Sequence, residues 1–258
     1  HELRTPLTVV QGYLELLRES PVTQHNAMVG EFVNMAADSA DDLADVAERL
    51  LQTSRLDTGH MELQLAPVRL ASAIEEALRA FRALQEAQGK THELTMEAPD
   101  DLYALADVGR LKETLRNLIS NAIKYSPNGG RVRVVWSSAA FETPALTGAD
   151  GDADAQDDPC APMLAVVEAA RMQPYHIILV CDDGMGIPAE ERPRLFGRFS
   201  RLDSAHASQI RGVGLGLYIC RQTLRAMGGD IWLRESVPGK GSVFALALPA
   251  AAAPASDA

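Results

Sequence analysis

The sequence predicts an α+β molecule, with a helical hairpin over residues 1–57, a linker at 58–66 and an α/β sandwich over 67–249. Three observations predict it. The first 57 residues carry only a helical apolar rhythm, short β-like runs alternate with helical stretches after Gly59, and 47% hydrophobic with 23% charged residues is a globular balance.

Leu3, Leu7, Val10, Leu14 and Leu17 recur at steps of four and three, a narrow seam of coiled-coil type. Pro21 and a polar stretch interrupt it, and Met28, Phe32, Met35, Leu43, Val46 and Leu50 carry a second helix to about Leu56. Two helices joined by a short turn form an antiparallel hairpin that cannot bury both seams alone. A second copy completing a four-helix bundle is the economical solution. Beyond Gly59, β-like runs are expected at Met61–Leu65, Glu93–Glu97, Tyr103–Ala106, Arg131–Trp136, Ile177–Cys181, Asp230–Leu233 and Ser242–Leu248. Helices are expected near Leu70–Ala87, Gly109–Tyr125 and Leu215–Met227. Residues 139–174 read as an insertion, and 250–258 as a disordered tail rich in Ala and Pro. Asp150, Asp152 and Asp154 superficially suggest a calcium loop, but Ala155 and Ala161 stand where such a loop needs Gly and Glu. A solvated acidic loop is the expectation.

A net charge of −11 argues against nucleic acid as a partner, since its binders present basic stripes. Cys160, Cys181 and Cys220 are scattered, with no CxxC or Cys/His ligand spacing, so neither a disulfide framework nor a zinc site is expected. No run approaches the ~20 apolar residues of a membrane span.

Three stretches carry candidate chemistry. Glu113, Asn117, Asn121 and Lys124 follow at steps of four, four and three, so they share one helix face. That face reads equally as solvated or as one whose amide oxygens hold a ligand, two Asn being a cost to the helix. Asp182-Asp183-Gly184-Met185-Gly186 directly follows an apolar strand, which suits close backbone approach to a ligand but also an ordinary Asp-Gly turn. Gly212-Val213-Gly214-Leu215-Gly216 opens a helix, whose N-terminal amides could cradle phosphate. Its last glycine falls one residue early for the dinucleotide fingerprint.

In this order and spacing the stretches resemble the sensor histidine kinases of two-component systems. Asn117-Leu-Ile-Ser-Asn121-Ala-Ile-Lys124-Tyr125-Ser-Pro resembles their N box, Asp182–Gly186 and Gly212–Gly216 their glycine boxes, and Leu195–Phe199 their F box. Gly239-Lys240-Gly241-Ser242 is similar to the last glycine motif, and His1-Glu2-Leu3-Arg4-Thr5-Pro6-Leu7 to the phosphoacceptor box. The resemblance covers residues 1 to about 249, apart from the insertion.

It implies a dimeric four-helix bundle followed by an ATP-binding sandwich of the Bergerat (GHKL) type. His1 would be phosphorylated from Mg-ATP, with Glu2 handling its other ring proton and Thr5 aligning water when a phosphorylated regulator is dephosphorylated. Asp182 would accept from the adenine amino group, with Gly184 and Gly186 giving room, and Tyr125 would pack on the base. Asn121 would hold Mg²⁺, Asn117 and Lys124 would serve the phosphates, and Arg201 would approach the terminal one. Gly212, Gly214 and Gly216 would let a lid close. Phe196 and Phe199 read equally as lid hinge and as core. The implied partners are a second copy of the chain and the receiver domain of a response regulator. The implied location is the cytoplasmic portion of a membrane-anchored sensor, with the membrane reached only through upstream segments, and the linker would be a hinge. Asp183 stands where the family often has Asn or Thr, so its extra charge is expected to disturb the adenine contact slightly.

Clamp ATPases of the gyrase, Hsp90 and MutL type share this nucleotide fold, and carry a glutamate four residues before the metal-binding Asn to activate water. Asn117 stands there, and an amide cannot act as a general base. A non-catalytic scaffold is the other alternative, but every expected nucleotide residue is present.

Overall fold

The computed structural model describes residues 4–21, 23, 26–57, 62–88, 92–137, 174–200 and 214–254. The chain divides into two compact units, His1–Met61 and Glu62–Ala258, a division that falls inside the expected linker. Among the described residues no helix is long and apolar enough to cross a membrane.

The first unit pairs α1 (Arg4–Glu19) with α2 (Ala27–Asp57). The Asn26 side chain caps α2, its Oδ1 accepting from the amides of Met28 at 3.1 Å and Val29 at 3.3 Å. Arg18 donates across the hairpin to Asn34 Oδ1 at 2.9 Å. Among the described residues of α2, Val33, Ala37, Ala40 and Ala47 are buried. Most of the larger seam residues are not: Val10, Leu17, Met28, Phe32, Met35, Leu43 and Leu50 are all exposed. The hairpin therefore leaves an apolar face that one copy does not cover.

The second unit is a seven-stranded mixed sheet in the order β1-β3-β7-β5-β4-β2, with β6 also paired to β7. Its strands are β1 (Ala66–Arg69), β2 (His92–Glu97), β3 (Tyr103–Ala106), β4 (Gly130–Ser137), β5 (Tyr175–Asp182), β6 (Asp230–Val237) and β7 (Gly241–Ala251). Only β2 and β4 pair in parallel. Among the described residues, helices α3 (Leu70–Gln88), α4 (Val108–Lys124) and α5 (Gly216–Ala226) and a short 3-10 turn at Ala189–Arg194 flank the sheet in sequence. Alternation along the strands builds its core. Ile178 and Val180 of β5, Leu246 and Leu248 of β7 and Ile231 of β6 share one cluster with Ile74, Leu78, Leu115 and Leu224 of the helices. The intervening Ile177, Trp232, Ala245 and Ala247 form a separate small cluster.

Several expectations shift. The first strand is Ala66–Arg69 and not Met61–Leu65: it pairs only with β3, and as an edge strand it tolerates Pro67. Strand β6 runs on to Val237 through an irregularity at Leu233/Glu235. The tail expected to be disordered from residue 250 is ordered at its start, because Ala250 and Ala251 pair with Ala104 and Tyr103 and the Ala250 amide donates to Pro174 O at 2.9 Å. The insertion, apart from Pro174, lies outside the described residues, as do 255–258.

Candidate functional site

Asp182 ends β5 opposite Ser242 of β7. Two backbone amides meet its Oδ1, that of Gly184 at 2.9 Å and that of Ser242 at 3.2 Å. Its Oδ2 has no partner among the described residues. Burial pushes this carboxyl up to about 6, against the opposing pull of the two amides. A half-buried acceptor with one oxygen unclaimed is a recognition group in search of a donor.

Asp183 points elsewhere. Its Oδ2 pairs with Arg131 Nε at 3.0 Å and accepts from the Arg131 amide at 3.3 Å, and that guanidinium holds the carboxyl below its ordinary value. Asp183 still pushes the Asp182 carboxyl up, though less than burial does, while its own charge is paired with Arg131.

The glycines allow close approach. A Cβ on Gly184 would fall 2.5 Å from Tyr125 O and 2.7 Å from Asp182 Oδ1, and one on Gly186, at φ 68°, 2.2 Å from Val237 O. Further ties hold this loop: Met185 N–H donates to Tyr125 O at 3.0 Å, Gly239 N–H to Met185 O at 2.7 Å, and Ile187 N–H to Ser236 Oγ at 2.8 Å. Arg192 brackets it, donating to Ile187 O at 3.2 Å and to Ser236 O at 2.6 Å. The Ser236 and Ser242 hydroxyls lie 3.0 Å apart close by. Sequence reasoning gave no signal for Arg192 or Ser236, whose partners are set by tertiary structure.

Helix α4 brings the rest together. Asp107 caps it, its Oδ1 accepting from Arg110 N at 3.1 Å while its Oδ2 accepts from Gln64 N at 3.0 Å. Partial burial pushes the Asp107 carboxyl up, but the amides of Gln64, Arg110 and Gly109 outweigh it and hold it below the ordinary value. Asn117 and Asn121 are half-buried, Lys124 is exposed, and none has a side-chain hydrogen bond or ion pair among the described residues. Glu113, on the same face, is drawn off into an ion pair with Arg110 at 3.0 Å. Tyr125 terminates the helix, its amide donating to Asn121 O at 2.9 Å. Gly216, the first residue of α5, lies against Asn117: a Cβ there would fall 2.7 Å from Asn117 Oδ1. Gly214, at φ 75°, brings its backbone against the preceding segment, a would-be Cβ falling 2.5 Å from Ser200 O and 2.7 Å from Phe199 C. The two phenylalanines separate: Phe196 packs edge-on to Phe244 with Arg221 stacked over it, whereas Phe199 is exposed at φ 57°.

The structure thus gathers Asp182, Gly184, Gly186, Asn117, Asn121, Lys124, Tyr125, Gly214 and Gly216 about one end of α4. His1, Glu2, Arg201 and Gly212 lie outside the described residues, and Thr5 is placed only by its backbone in α1. Among the described residues no three His, Cys, Asp or Glu side chains gather as a metal cage. The partner-free amide oxygen of Asn121 suits a hard cation that takes its other oxygens from water and phosphate.

Comparison with known proteins shows the family to which the chain belongs. Residues 106–252, more than half of the chain, match the model of the histidine kinase-, DNA gyrase B- and HSP90-like ATPases, and residues 1–59 match the His Kinase A (phospho-acceptor) domain. The chain is 29% identical over 250 residues to the sensor histidine kinase WalK of Bacillus subtilis (strain 168), covering 96% of this chain and 35% of that protein. It is 31% identical over 256 residues to the circadian input-output histidine kinase CikA of Synechococcus elongatus, covering 96% and 29%. Among solved structures, full-length ShkA in complex with AMPPNP is similar at a TM-score of 0.69 and 27% identity, covering 99% of this chain and 45% of that one. The chain spans about a third or less of the length of these two curated relatives. It belongs to the histidine kinase-, DNA gyrase B- and HSP90-like ATPase family, and the phospho-acceptor module ahead of its ATPase domain sets it among the sensor histidine kinases.

Proposed function

We propose that the protein phosphorylates His1 from Mg-ATP and passes the phosphoryl group to an aspartate on the receiver domain of a response regulator. The observation that carries the nucleotide part is Asp182, a half-buried carboxylate with one unclaimed oxygen, held in place by the amides of Gly184 and Ser242. Its Oδ2 accepts from the adenine amino group; guanine presents a carbonyl oxygen there, and two acceptors repel. Tyr125 packs on the base, and Gly184 and Gly186 let the loop beside it pack directly against Tyr125 and Val237.

The amide of Asn117 and the ammonium of Lys124 serve the phosphates, Arg201 meets the terminal one, and Gly212, Gly214 and Gly216 close over them. The Asn121 amide oxygen would hold Mg²⁺, which would supply charge neutralisation at the phosphates. The neutral imidazole of His1 donates its ring-nitrogen lone pair to the γ-phosphorus, and the bond to the ADP oxygen breaks with its electrons leaving on ADP. Glu2 takes the proton from the other ring nitrogen. An aspartate carboxylate of the regulator then displaces the imidazole, and Thr5 aligns water for the reverse function, loss of phosphate from the regulator. The exposed apolar face of the hairpin supports pairing with a second copy into a four-helix bundle. The same reading places the chain in the cytoplasmic portion of a membrane-anchored sensor.

The test is incubation of the intact protein with γ-³²P-ATP and Mg²⁺. Acid-labile, base-stable label is expected on the wild type and none on His1→Gln, with ATP affinity unchanged. Label retained by His1→Gln, or an equal loss of ATP binding, would contradict the assignment.

A further inference from the structure

We infer that His92, on the edge strand β2, is a positioning residue for the adenine end of the site, acting through the backbone of Ser126. This rests on the adenine-binding reading of Asp182. His92 Nε2 lies 2.8 Å from Ser126 O. A carbonyl oxygen can only accept, so Nε2 carries the proton and the bond fixes the imidazole tautomer. The other ring nitrogen, Nδ1, is then buried with no partner. A fold tolerates such a cost, about 1–3 kcal/mol, where something else depends on the group.

What depends on it is the place of Ser126. That residue is 2% exposed, yet its hydroxyl is among the buried side-chain atoms without a hydrogen bond, so the side chain does not anchor it. Only the backbone does. Its amide donates to Ile123 O at 3.2 Å, and its carbonyl accepts from Gly129 N at 3.1 Å and from His92. Of these, His92 alone comes from outside the α4–β4 turn. Ser126 in turn sets the wall of the site. A Cβ on Gly184 would meet Ser126 Oγ at 2.8 Å and Tyr125 O at 2.5 Å, so residues 125 and 126 already touch Gly184. The Gly184 amide is one of the two that hold Asp182 Oδ1. His92 therefore holds Ser126, Ser126 backs Gly184, and Gly184 aims Asp182. Nothing in this chain of contacts reaches Asn117 or Gly216, where the phosphates are served.

The discriminating variants are His92→Gln and His92→Asn. The Gln amide nitrogen reaches about as far as Nε2, whereas Asn stops at the place of Nδ1. Binding of adenosine and of inorganic tripolyphosphate is measured by calorimetry on the 258-residue chain. Expected is a loss of adenosine affinity of about fivefold in His92→Asn, the scale of one hydrogen bond, with recovery in His92→Gln. Tripolyphosphate affinity is expected to be unchanged in both. Adenosine affinity equal to wild type in His92→Asn overturns the inference, as does a parallel loss for tripolyphosphate, which marks a general structural defect, or failure of Gln to recover binding. Should His92→Asn not fold, His92→Ala takes its place, with the same loss expected for adenosine and none for tripolyphosphate; should His92→Gln not fold, the selective loss in His92→Asn decides. Failure of the wild type itself to bind adenosine would sink the reading of Asp182 instead.

Discussion

Burial pushes Asp182 from 3.8 up to about 6, so the folded chain takes up a proton there more readily than the unfolded one. Its contribution to stability is therefore fully present below pH 3.8 and is lost as pH rises through about 6. At neutral pH the ionised carboxylate works against the fold, and on the proposed reading it accepts from the base. Asp182→Asn is accordingly expected to raise the melting temperature above about pH 6, by a margin that vanishes below about pH 4, and to cut adenosine affinity about tenfold. Wild-type adenosine affinity is expected to fall as pH drops through about 6, where the acceptor is protonated. Scanning calorimetry and adenosine titration across about pH 4–8 check both; a lower melting temperature for the variant at about pH 7.5 would contradict them. The identity of Asp182 was legible in the sequence because an apolar strand ends on it. The quieting of Asp183 was not, since Arg131 lies 52 residues away and meets it only through the β4–β5 register.

At the scale of elements, the proposed nucleotide site draws on both α4 and α5. Asn117 and Asn121 were readable as one helix face from their spacing alone, but spacing could not show that Glu113 is diverted to Arg110 or that Gly216 lies against Asn117. That contact makes a clean test. Gly216 begins a helix, so Ala fits its backbone, but the new Cβ would lie 2.7 Å from Asn117 Oδ1 and the flexible amide must swing aside. Gly216→Ala is expected to hold or slightly raise the melting temperature, to weaken ATP about tenfold and to leave adenosine binding intact. Equal loss of both ligands would mean that Asn117 serves the base side. Strand ends were the least legible elements. Pro67 hid β1, because proline is tolerated in a strand only when nothing pairs on its amide side, a property of sheet order. The short pairing of β7 with β3 hid the extension to Ala251 for the same reason.

For the whole molecule, the two units differ in how they are completed. The second has its own buried core of strands and helices, whereas the first, among the described residues, buries mainly small side chains and leaves Tyr13 and Phe32 about two-thirds exposed, at 65% and 63%. A chain beginning at Glu62 is therefore expected to be monomeric and to bind ATP as the longer chain does, while residues 1–258 form dimers. Light scattering and titration check this; loss of ATP binding from the shorter chain would show that the site needs the hairpin. The division between units was visible where the helical rhythm stops, because it follows from local periodicity. The exposed face of the hairpin was visible only as a surplus of apolar seam.

One carboxylate gives the second unit its mechanical character. Asp107 grips the first turn of α4 with one oxygen and the entering stretch of chain at Gln64 with the other. The threshold of the domain and the helix bearing the two asparagines are thus riveted at a single point. Fraying that starts at the threshold cannot stay there: it opens the helix start as well, so this border behaves as a cooperative part of the interior and not as a loose end.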